Sequence, residues 1–311
     1  MSDLRVTVTG ATGLIGASLV ASLREHGTAV AVLTRDPQRA RARLGEVETI
    51  AWDPLGEAAP AAALAGRDAV LHLAGEPVAQ RWSTKAKRAI RESRTIGTSN
   101  LIEGLEHVRA AGGDAPRTLI SSSAIGYYGA HGEEPLDEDA PPGDDFLARV
   151  CVEWETAAAV AHERLGLRVV QVRTGVVLDR AGGALGKMLP AFRLGVGGPV
   201  AGGRQYMSWI HAEDVVGMML AALNDERWGG PINATAPEPV TNREFSKALG
   251  SALGRPSLLP VPDFALRALY GDMAEIVTNG ARVMPAKPLV LGYEFAHPRL
   301  PEALRSALGS G

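Results

Sequence analysis

A run of glycines directly after a short apolar stretch constrains the fold of this chain more than any other feature. Residues 6–8 are β-branched, as in a buried parallel strand. Gly10, Gly13 and Gly16 follow at once, and a helical pattern runs over 14–26. This order of strand, glycines and helix predicts a loop whose backbone N–H groups face the pyrophosphate of a dinucleotide. The alternative, a glycine-rich turn without a ligand, does not need the flanking strand and helix.

Each glycine has a separate physical task in such a loop. Gly10 permits the turn out of the strand, Gly13 lets the backbone approach the pyrophosphate, and Gly16 lets the helix pack closely on the sheet. The residues predicted to bind the cofactor here are Gly10, Ala11, Thr12, Gly13, Leu14, Ile15 and Gly16.

Strands and helices alternate through the first two-thirds of the chain, which is typical of a doubly wound parallel sheet. Strands are predicted over 5–9, 29–34, 48–51, 69–73, 118–122, 168–172 and 232–234. Helices are predicted over 14–26, 37–44, 84–111, 146–165, 242–253, 262–270 and 300–308, with a short one within 58–65. The predicted fold class is α/β, a Rossmann doubly wound parallel sheet with a smaller, discontinuous C-terminal substrate lobe.

The alternation breaks after Arg173, where eight glycines between Gly182 and Gly203 predict a loop-rich region. A second change follows Pro237. We therefore predict an NADP-binding domain of residues 1–177 plus 210–235, and a substrate lobe of residues 178–209 plus 236–311.

Composition narrows the class of protein. Charged residues make up 22% of the chain and the net charge is −3, with no basic block that would indicate a nucleic-acid partner. No apolar run is long enough to span a bilayer, and strand one is expected without a secretory leader before it. Cys151 is the only cysteine, which fits a reducing, cytoplasmic location and, without a Cys/His cluster, predicts no metal site. The expected partner is a small-molecule substrate; composition does not indicate an oligomeric state.

The end of the second predicted strand indicates which dinucleotide binds. An acidic residue near this point would take the ribose hydroxyls of NAD, whereas Arg35 offers planar donors to a 2′-phosphate. Thr34 adds a hydroxyl, and Asp36 before Pro37 is typical of a helix N-cap. We therefore predict NADP as the cofactor.

Further contacts are predicted at the ends of the next two strands. Asp53 could accept a hydrogen bond from the adenine amine, or it could form a turn with Pro54. Small residues after the fourth strand would let backbone lie against the adenosine ribose and pyrophosphate. The predicted contacts there are Leu73, Ala74 and Gly75.

The motif Thr-Gly-Ala-Thr-Gly-Leu-Ile-Gly resembles that of extended short-chain dehydrogenases/reductases, which include nucleotide-sugar epimerases and dehydratases. The resemblance implies a nicotinamide dinucleotide across the top of the sheet, with Ser122 and Val177 beside it. Residues 93–101 are similar to a helix motif of the same group. Arg94 replaces its asparagine and is expected to point toward the cofactor, where it could pair with a phosphate or an acidic substrate.

The catalytic residues of that group are matched only in part. By the similarity of 121–129 to its Ser-Ser…Tyr-Gly segment, Ser123 is the expected catalytic serine. The following Tyr-x-x-x-Lys pair is absent, because Leu147 and Cys151 occupy its positions. Tyr127 and Tyr128 are the phenols nearest in sequence and are predicted to supply the proton.

Several further motifs, among them Gly-Tyr-Tyr-Gly and Ser-Trp-Ile-His, resemble an atypical branch over essentially the whole chain. Its members are NAD-dependent epimerase/dehydratase-like "epimerase family proteins" with their own C-terminal domain. This implies an NADP-dependent oxidoreductase or epimerase acting on a small hydroxyl or carbonyl compound. The alternative is a non-catalytic protein that senses or is regulated by the dinucleotide. Candidate substrate-lining residues are Lys187, Arg193, Gln205 and Trp209.

Overall fold

The computed structural model describes residues 4–257, 259–261 and 271–309. Its strands are β1 (Arg5–Thr9), β2 (Ala29–Thr34), β3 (Glu48–Ala51), β4 (Ala69–His72), β5 (Thr118–Ala124), β6 (Pro135–Leu136), β7 (Arg168–Thr174), β8 (Val176–Leu178), β9 (Tyr206–Met207), β10 (Trp209–His211), β11 (Gly230–Ala234), β12 (Val240–Thr241) and β13 (Arg282–Val283). Its helices are α1 (Leu14–Glu25), α2 (Pro37–Leu44), α3 (Ala61–Leu64), α4 (Thr84–Ala110), α5 (Phe146–Leu165), α6 (Gly183–Arg193), α7 (Ala212–Asn224), α8 (Asn242–Leu253), α9 (Glu275–Thr278), α10 (Ala286–Val290) and α11 (Leu300–Leu308). Short 3₁₀ helices lie at Ile125–Tyr128, Ala201–Gly203 and Gly271–Ala274.

Seven of these strands form one parallel sheet in the order β11-β7-β5-β4-β1-β2-β3. The chain moves outward from β1 through β2 to β3, and then returns to place β4 on the other side of β1. The strand order therefore reverses between β1 and β4, where doubly wound sheets open a crevice at the carboxyl ends of their strands. The predicted fold class is confirmed.

Predicted and observed elements differ mainly at their ends. β4 stops at His72, whereas β5 and β7 each continue two residues beyond their predicted ends. Helix α6 lies in the segment predicted to be loop-rich; Gly186 and Pro190 inside it are both poor helix formers, which hid its pattern. The helix predicted over 262–270 lies outside the described residues.

Hydrophobic side chains cover both faces of the sheet. One cluster joins the sheet to α1 and α7, and a second joins it to α4 and α5. A third cluster, with Leu185, Phe245 and Leu304, brings α6, α8 and α11 together away from the sheet. The proposed boundaries of the substrate lobe remain a prediction. Among the described residues, no helix has both the length and the apolarity that a membrane span requires.

We predict opposite stability effects for two helical glycines. A Cβ at Gly104 in α4 would collide with the carbonyl oxygen of Ala59, so Gly104→Ala should lower the free energy of unfolding by about 1–3 kcal/mol. A Cβ at Gly186 in α6 would make an ordinary contact, 3.4 Å from the carbonyl oxygen of Arg180. Gly186→Ala should therefore stabilise by up to about 1 kcal/mol. Urea unfolding measures both, and a Gly104→Ala protein at least as stable as the native one would contradict the packing described.

Candidate functional site

A groove of about 360 Å³ runs along the carboxyl ends of the sheet strands, beside the turn from β1 to α1. We call it the glycine-loop groove. Its lining residues are Gly10, Gly13, Leu14, Ile15, Gly16, Leu73, Ser122, Gly175, Val176, Val177, Gly183 and Ala184. Eight residues of the predicted cofactor site are therefore brought together here from four separate parts of the chain.

The glycines of this groove are required by close backbone packing. Gly10 has a φ of +67°, and a Cβ there would lie 2.5 Å from the carbonyl carbon of Leu73. A Cβ at Gly16 would collide with the carbonyl oxygen of Gly10. Gly13 is the N-cap of α1 and offers no side chain to the N–H groups of the first turn. These N–H groups and the positive end of the helix dipole fit the pyrophosphate of a dinucleotide. Ala11 is buried under the loop, and neither it nor Thr12 lines the groove.

Arg35 follows β2 directly and does not line the groove itself, but its charge is available. The parallel register of β1 and β2, which pairs Thr9 with Leu33, places Thr34 and Arg35 beside the start of the glycine loop. Asp36 caps α2, accepting a hydrogen bond from the Arg39 amide at 3.0 Å. Arg35 is exposed and forms no ion pair within the described part of the chain. This arrangement fits the 2′-phosphate of NADP.

Hydrogen bonds to side chains fix the backbone after β3 and after β4. The carboxylate of Asp53 accepts a hydrogen bond from the Leu55 amide at 3.1 Å and so forms the turn after β3; its adenine contact stays a prediction. The Thr9 hydroxyl accepts hydrogen bonds from the Leu73 and Ala74 amides, both at 3.1 Å. These bonds hold the end of β4 against β1 and fix one wall of the groove.

His72 is a packed residue of the sheet. Its ring lies between the hydroxyls of Thr9 and Thr98, at 2.8 and 3.1 Å. Burial lowers the pKa of His72 to about 4, so the ring is neutral near pH 7.

A second cavity of about 330 Å³ adjoins the groove, and we call it the apolar cavity. The two share Gly175, Val176 and Ala184 as lining residues, so they are contiguous. Most of its wall is hydrophobic, including Trp82, Phe146, Leu147, Val150, Trp154 and Met188. Polar groups also line it, among them Arg94, Cys151, Tyr206 and Asn242.

Arg94 and Gly75 lie together at one side of this cavity. A Cβ at Gly75 would lie 3.3 Å from the guanidinium carbon of Arg94. Arg94 was expected at the cofactor, but it lines the apolar cavity and not the glycine-loop groove. The reason is that its Nη1 donates hydrogen bonds to the carbonyl oxygens of Glu76 (3.1 Å) and Ile90 (3.0 Å), which turn the guanidinium to that side.

Helix α5 presents no proton-exchanging pair to the cavity. Leu147 and Cys151 both line it, at the positions where the resemblance would require tyrosine and lysine. Burial raises the pKa of the Cys151 thiol to about 12, so it stays protonated at neutral pH.

The position of Tyr128 contradicts the predicted catalytic role. The residue is completely buried and lines neither the groove nor the cavity. Its hydroxyl donates to Asn233 Oδ1 at 2.7 Å and accepts from Arg173 Nη1 at 2.9 Å. Burial raises the pKa of Tyr128 to about 12. Tyr128 is therefore a structural residue.

Tyr127 and Ser123 also line neither cavity. The guanidinium carbon of Arg173 lies 3.5 Å from the centre of the Tyr127 ring, which is half-buried. The Ser123 hydroxyl donates to Glu155 Oε1 at 2.6 Å. Side chains alternate along a strand, so Ser122 faces the groove while Ser123 faces α5. Neither residue lies where it would contact a substrate in the cavity, so the structure does not support the predicted catalytic roles of Ser123 and Tyr127.

The sequence analysis missed the buried ion pair that organises these residues. Arg173 donates from Nε to Glu155 Oε1 (2.9 Å) and from Nη2 to Glu155 Oε2 (2.8 Å). Burial alone would lower the pKa of Arg173, but the hydrogen bonds and charge of Glu155 raise it. The available signal was a charged residue on a buried strand and another on the apolar face of α5.

The four residues predicted to line the substrate site do not line the cavity. Trp209 is completely buried and its Nε1 donates to the carbonyl oxygen of Glu238 at 3.0 Å. Lys187 donates to the carbonyl oxygen of Ala79. Met188 and Tyr206, each next in sequence to a predicted residue, point inward instead. In an irregular segment, the residues that face inward do not recur at a fixed spacing, so the sequence does not identify them.

A group of potential metal ligands, His211, Glu213 and His297, lies outside both cavities, with ligand atoms within 4.8 Å of one another. The Nδ1 of His211 accepts a hydrogen bond from the Glu213 amide at 3.2 Å and caps α7. A neutral ring that accepts at Nδ1 carries its proton on Nε2 and so has no second lone pair for a metal. His211 therefore acts as a helix cap.

Two known protein families match separate parts of the chain. The NAD dependent epimerase/dehydratase family matches residues 6–234. The chain belongs to this family. A domain of unknown function, DUF1731, matches residues 261–307. The predicted combination of an epimerase-type domain with a separate C-terminal domain is confirmed.

Relatives within this epimerase/dehydratase family match nearly the whole chain. The chloroplastic epimerase family protein SDR39U1 homolog of Arabidopsis thaliana is 41% identical, covering 99% of this chain and 87% of the relative. Epimerase family protein Mb2239 of Mycobacterium bovis is 41% identical, covering 98% and 97%. The crystal structure of human epimerase family protein SDR39U1 (isoform 2) with NADPH has a TM-score of 0.87 and 33% identity, covering 99% of this chain and all of that one.

We predict a large stability cost for breaking the buried pair. Arg173→Met should lower the free energy of unfolding by about 3–5 kcal/mol, because it leaves the Glu155 carboxylate buried without a partner. Arg227→Met, which breaks the exposed Arg227–Asp225 pair, should leave the free energy of unfolding almost unchanged, because water solvates both charges. Urea unfolding at neutral pH compares them, and equal costs would show that the Arg173 pair is not buried as described.

Proposed function

We propose that this protein is an NADP-dependent oxidoreductase or epimerase that acts on a small hydroxyl or carbonyl compound. The observation that carries the proposal is the contiguity of the two cavities through Gly175, Val176 and Ala184. A substrate in the apolar cavity would thereby meet a dinucleotide in the glycine-loop groove. The single cysteine favours a cytoplasmic location.

The groove residues fit NADP in particular. The open N–H groups after Gly13 would hold the pyrophosphate, and Arg35 with Thr34 would hold the 2′-phosphate. The NADPH in the human relative supports this choice of cofactor. When bound, the cofactor supplies or accepts a hydride; the chain's own residues position it and exclude water.

Proton exchange needs a residue that lines the apolar cavity. Of the tyrosines that the structure describes, Tyr206 alone lines it. We assign to the Tyr206 hydroxyl the exchange of a proton with the substrate oxygen, which the resemblance would give to a tyrosine on α5. Because no lysine accompanies Leu147 or Cys151 on α5, turnover is expected to be slow.

A second function, non-catalytic sensing of the dinucleotide, is favoured by one observation. Leu147 and the protonated Cys151 thiol leave α5 without an acid–base pair. A sensor would bind NADPH through the same groove and transfer no hydride.

Transfer of deuterium from the cofactor to a product distinguishes the enzyme from the sensor. The protein is incubated with NADPH deuterated at C4 and a small-molecule extract, and products are examined by mass spectrometry. We expect deuterium in a product with the native protein and less of it with Tyr206→Phe. Gly13→Val should show none, because a branched side chain there would obstruct the pyrophosphate, and circular dichroism checks that it folds. Absence of deuterium transfer from NADPH, together with absence of NADPH formation when the native protein is given NADP⁺ and the same extract, would favour the sensor.

We also predict that Arg35 sets the preference for NADPH over NADH. Arg35→Ala should weaken NADPH binding about ten- to a hundredfold, the equivalent of a lost charge-assisted hydrogen bond, and leave NADH binding unchanged. Arg88→Ala, which removes an exposed arginine of α4, serves as the control. Calorimetric titration of both cofactors decides the point, and equal native affinities would refute the predicted preference.

A further inference from the structure

Arg94 brings a positive charge to the apolar cavity without a carboxylate partner. Its guanidinium donates hydrogen bonds to two backbone carbonyl oxygens, those of Glu76 and Ile90. Within the described residues, no carboxylate oxygen lies within 4.0 Å of the guanidinium. Burial lowers the pKa of Arg94, yet an arginine remains charged at neutral pH. The charge of Glu76 acts on Arg94 from beyond ion-pair distance and offsets only part of the cost of burial, so an anionic ligand in contact with the guanidinium would offset more.

The guanidinium is held in one place. The Trp154 ring lies 4.9 Å from its central carbon, and Gly75 lies directly against it on the side of β4. Trp154 also has a buried Nε1–H without an acceptor within the described part of the chain.

The rest of the cavity selects against a large polar ligand. Trp82 and Phe146 pack edge to face with ring centres 5.1 Å apart, and Leu147, Val150 and Met188 continue the surface. A nucleotide sugar would need polar partners along its sugar and diphosphate. These side chains favour an apolar ligand body. Two acidic residues also line the cavity, Asp145, which caps α5, and Glu275.

We propose that the substrate is a small carboxylate with an aromatic or branched apolar body, and that Arg94 binds its carboxylate. This inference rests on the proposed function, because it names the substrate class for the same cavity. A guanidinium matches a carboxylate with two parallel hydrogen bonds, which fixes the orientation of the ligand. Arg94 is then a substrate-binding residue and determines specificity for acids.

The test uses matched probes that differ in charge alone. Phenylacetate and 4-methylpentanoate are titrated calorimetrically into the NADP⁺-saturated protein, alongside their uncharged amides. We expect at least one acid to bind tenfold or more tightly than its amide. Arg94→Gln should abolish that difference and leave amide binding unchanged, while Arg94→Lys should keep part of it. Arg88→Gln on the same helix should behave as the native protein.

Each other result overturns the inference. Binding of neither acid, equal affinities for acid and amide, or an unchanged acid preference in Arg94→Gln would each do so. UDP-glucose binding that depends on Arg94 would indicate a nucleotide sugar instead. NADPH titration of the same samples separates the two proposals. Normal NADPH binding without acid preference refutes only the carboxylate assignment. Failure to bind NADPH refutes the proposed function, and acid titration of the cofactor-free protein then decides this inference.

Discussion

The bidentate ion pair between Glu155 on α5 and Arg173 on β7 determines where the other parts of the site lie. Burying either charge alone would cost several kcal/mol, so the two elements have one favourable relative position. Arg173 also donates to the Tyr128 hydroxyl and to the carbonyl oxygen of Glu138, and Glu155 accepts from Ser123. The pair thereby anchors the end of β5 and the turn after it, which form one wall of the apolar cavity.

The same arrangement explains why the cavity is apolar. Leu147, Cys151 and Glu155 are four residues apart and share one face of α5. The ion pair engages the Glu155 carboxylate, and Leu147 and Cys151, neither charged at neutral pH, line the cavity. Polar chemistry must then come from other elements, and α4 and β9 supply Arg94 and Tyr206. A charge acts more strongly where few polar groups and little water surround it, so one arginine can dominate ligand choice in this cavity.

The sequence predicted those parts of the molecule whose signals are local. The glycine loop, α2 and α5 combine propensity, capping residues and periodic apolar positions within a short stretch, and the structure has them as predicted. The catalytic assignment failed because nearness in sequence to a strand end does not determine which way a side chain points. Because β5 extends to Ala124, the Ser123 side chain lies on the face of the strand opposite to the groove, and Tyr127 and Tyr128 follow beyond the strand end. The apolar cavity had no local signal, since its walls come from segments as distant as Val78 and Asn279.

At the boundary shared by groove and cavity, close backbone packing and one serine hold the sheet to the segment between β9 and β10. A Cβ at Gly175 would collide with the carbonyl oxygen of Ser208, so glycine lets the segment between β9 and β10 approach the end of β7. Ser208 accepts a hydrogen bond from the Val176 amide at 2.9 Å, and its hydroxyl bonds the backbone of Ala281 and Val283, both at 2.8 Å. One buried serine thus joins three segments beside the boundary shared by groove and cavity. Because these bonds do not depend on the neighbouring side chains, substitutions along the cavity wall can change the substrate without moving the groove that faces it.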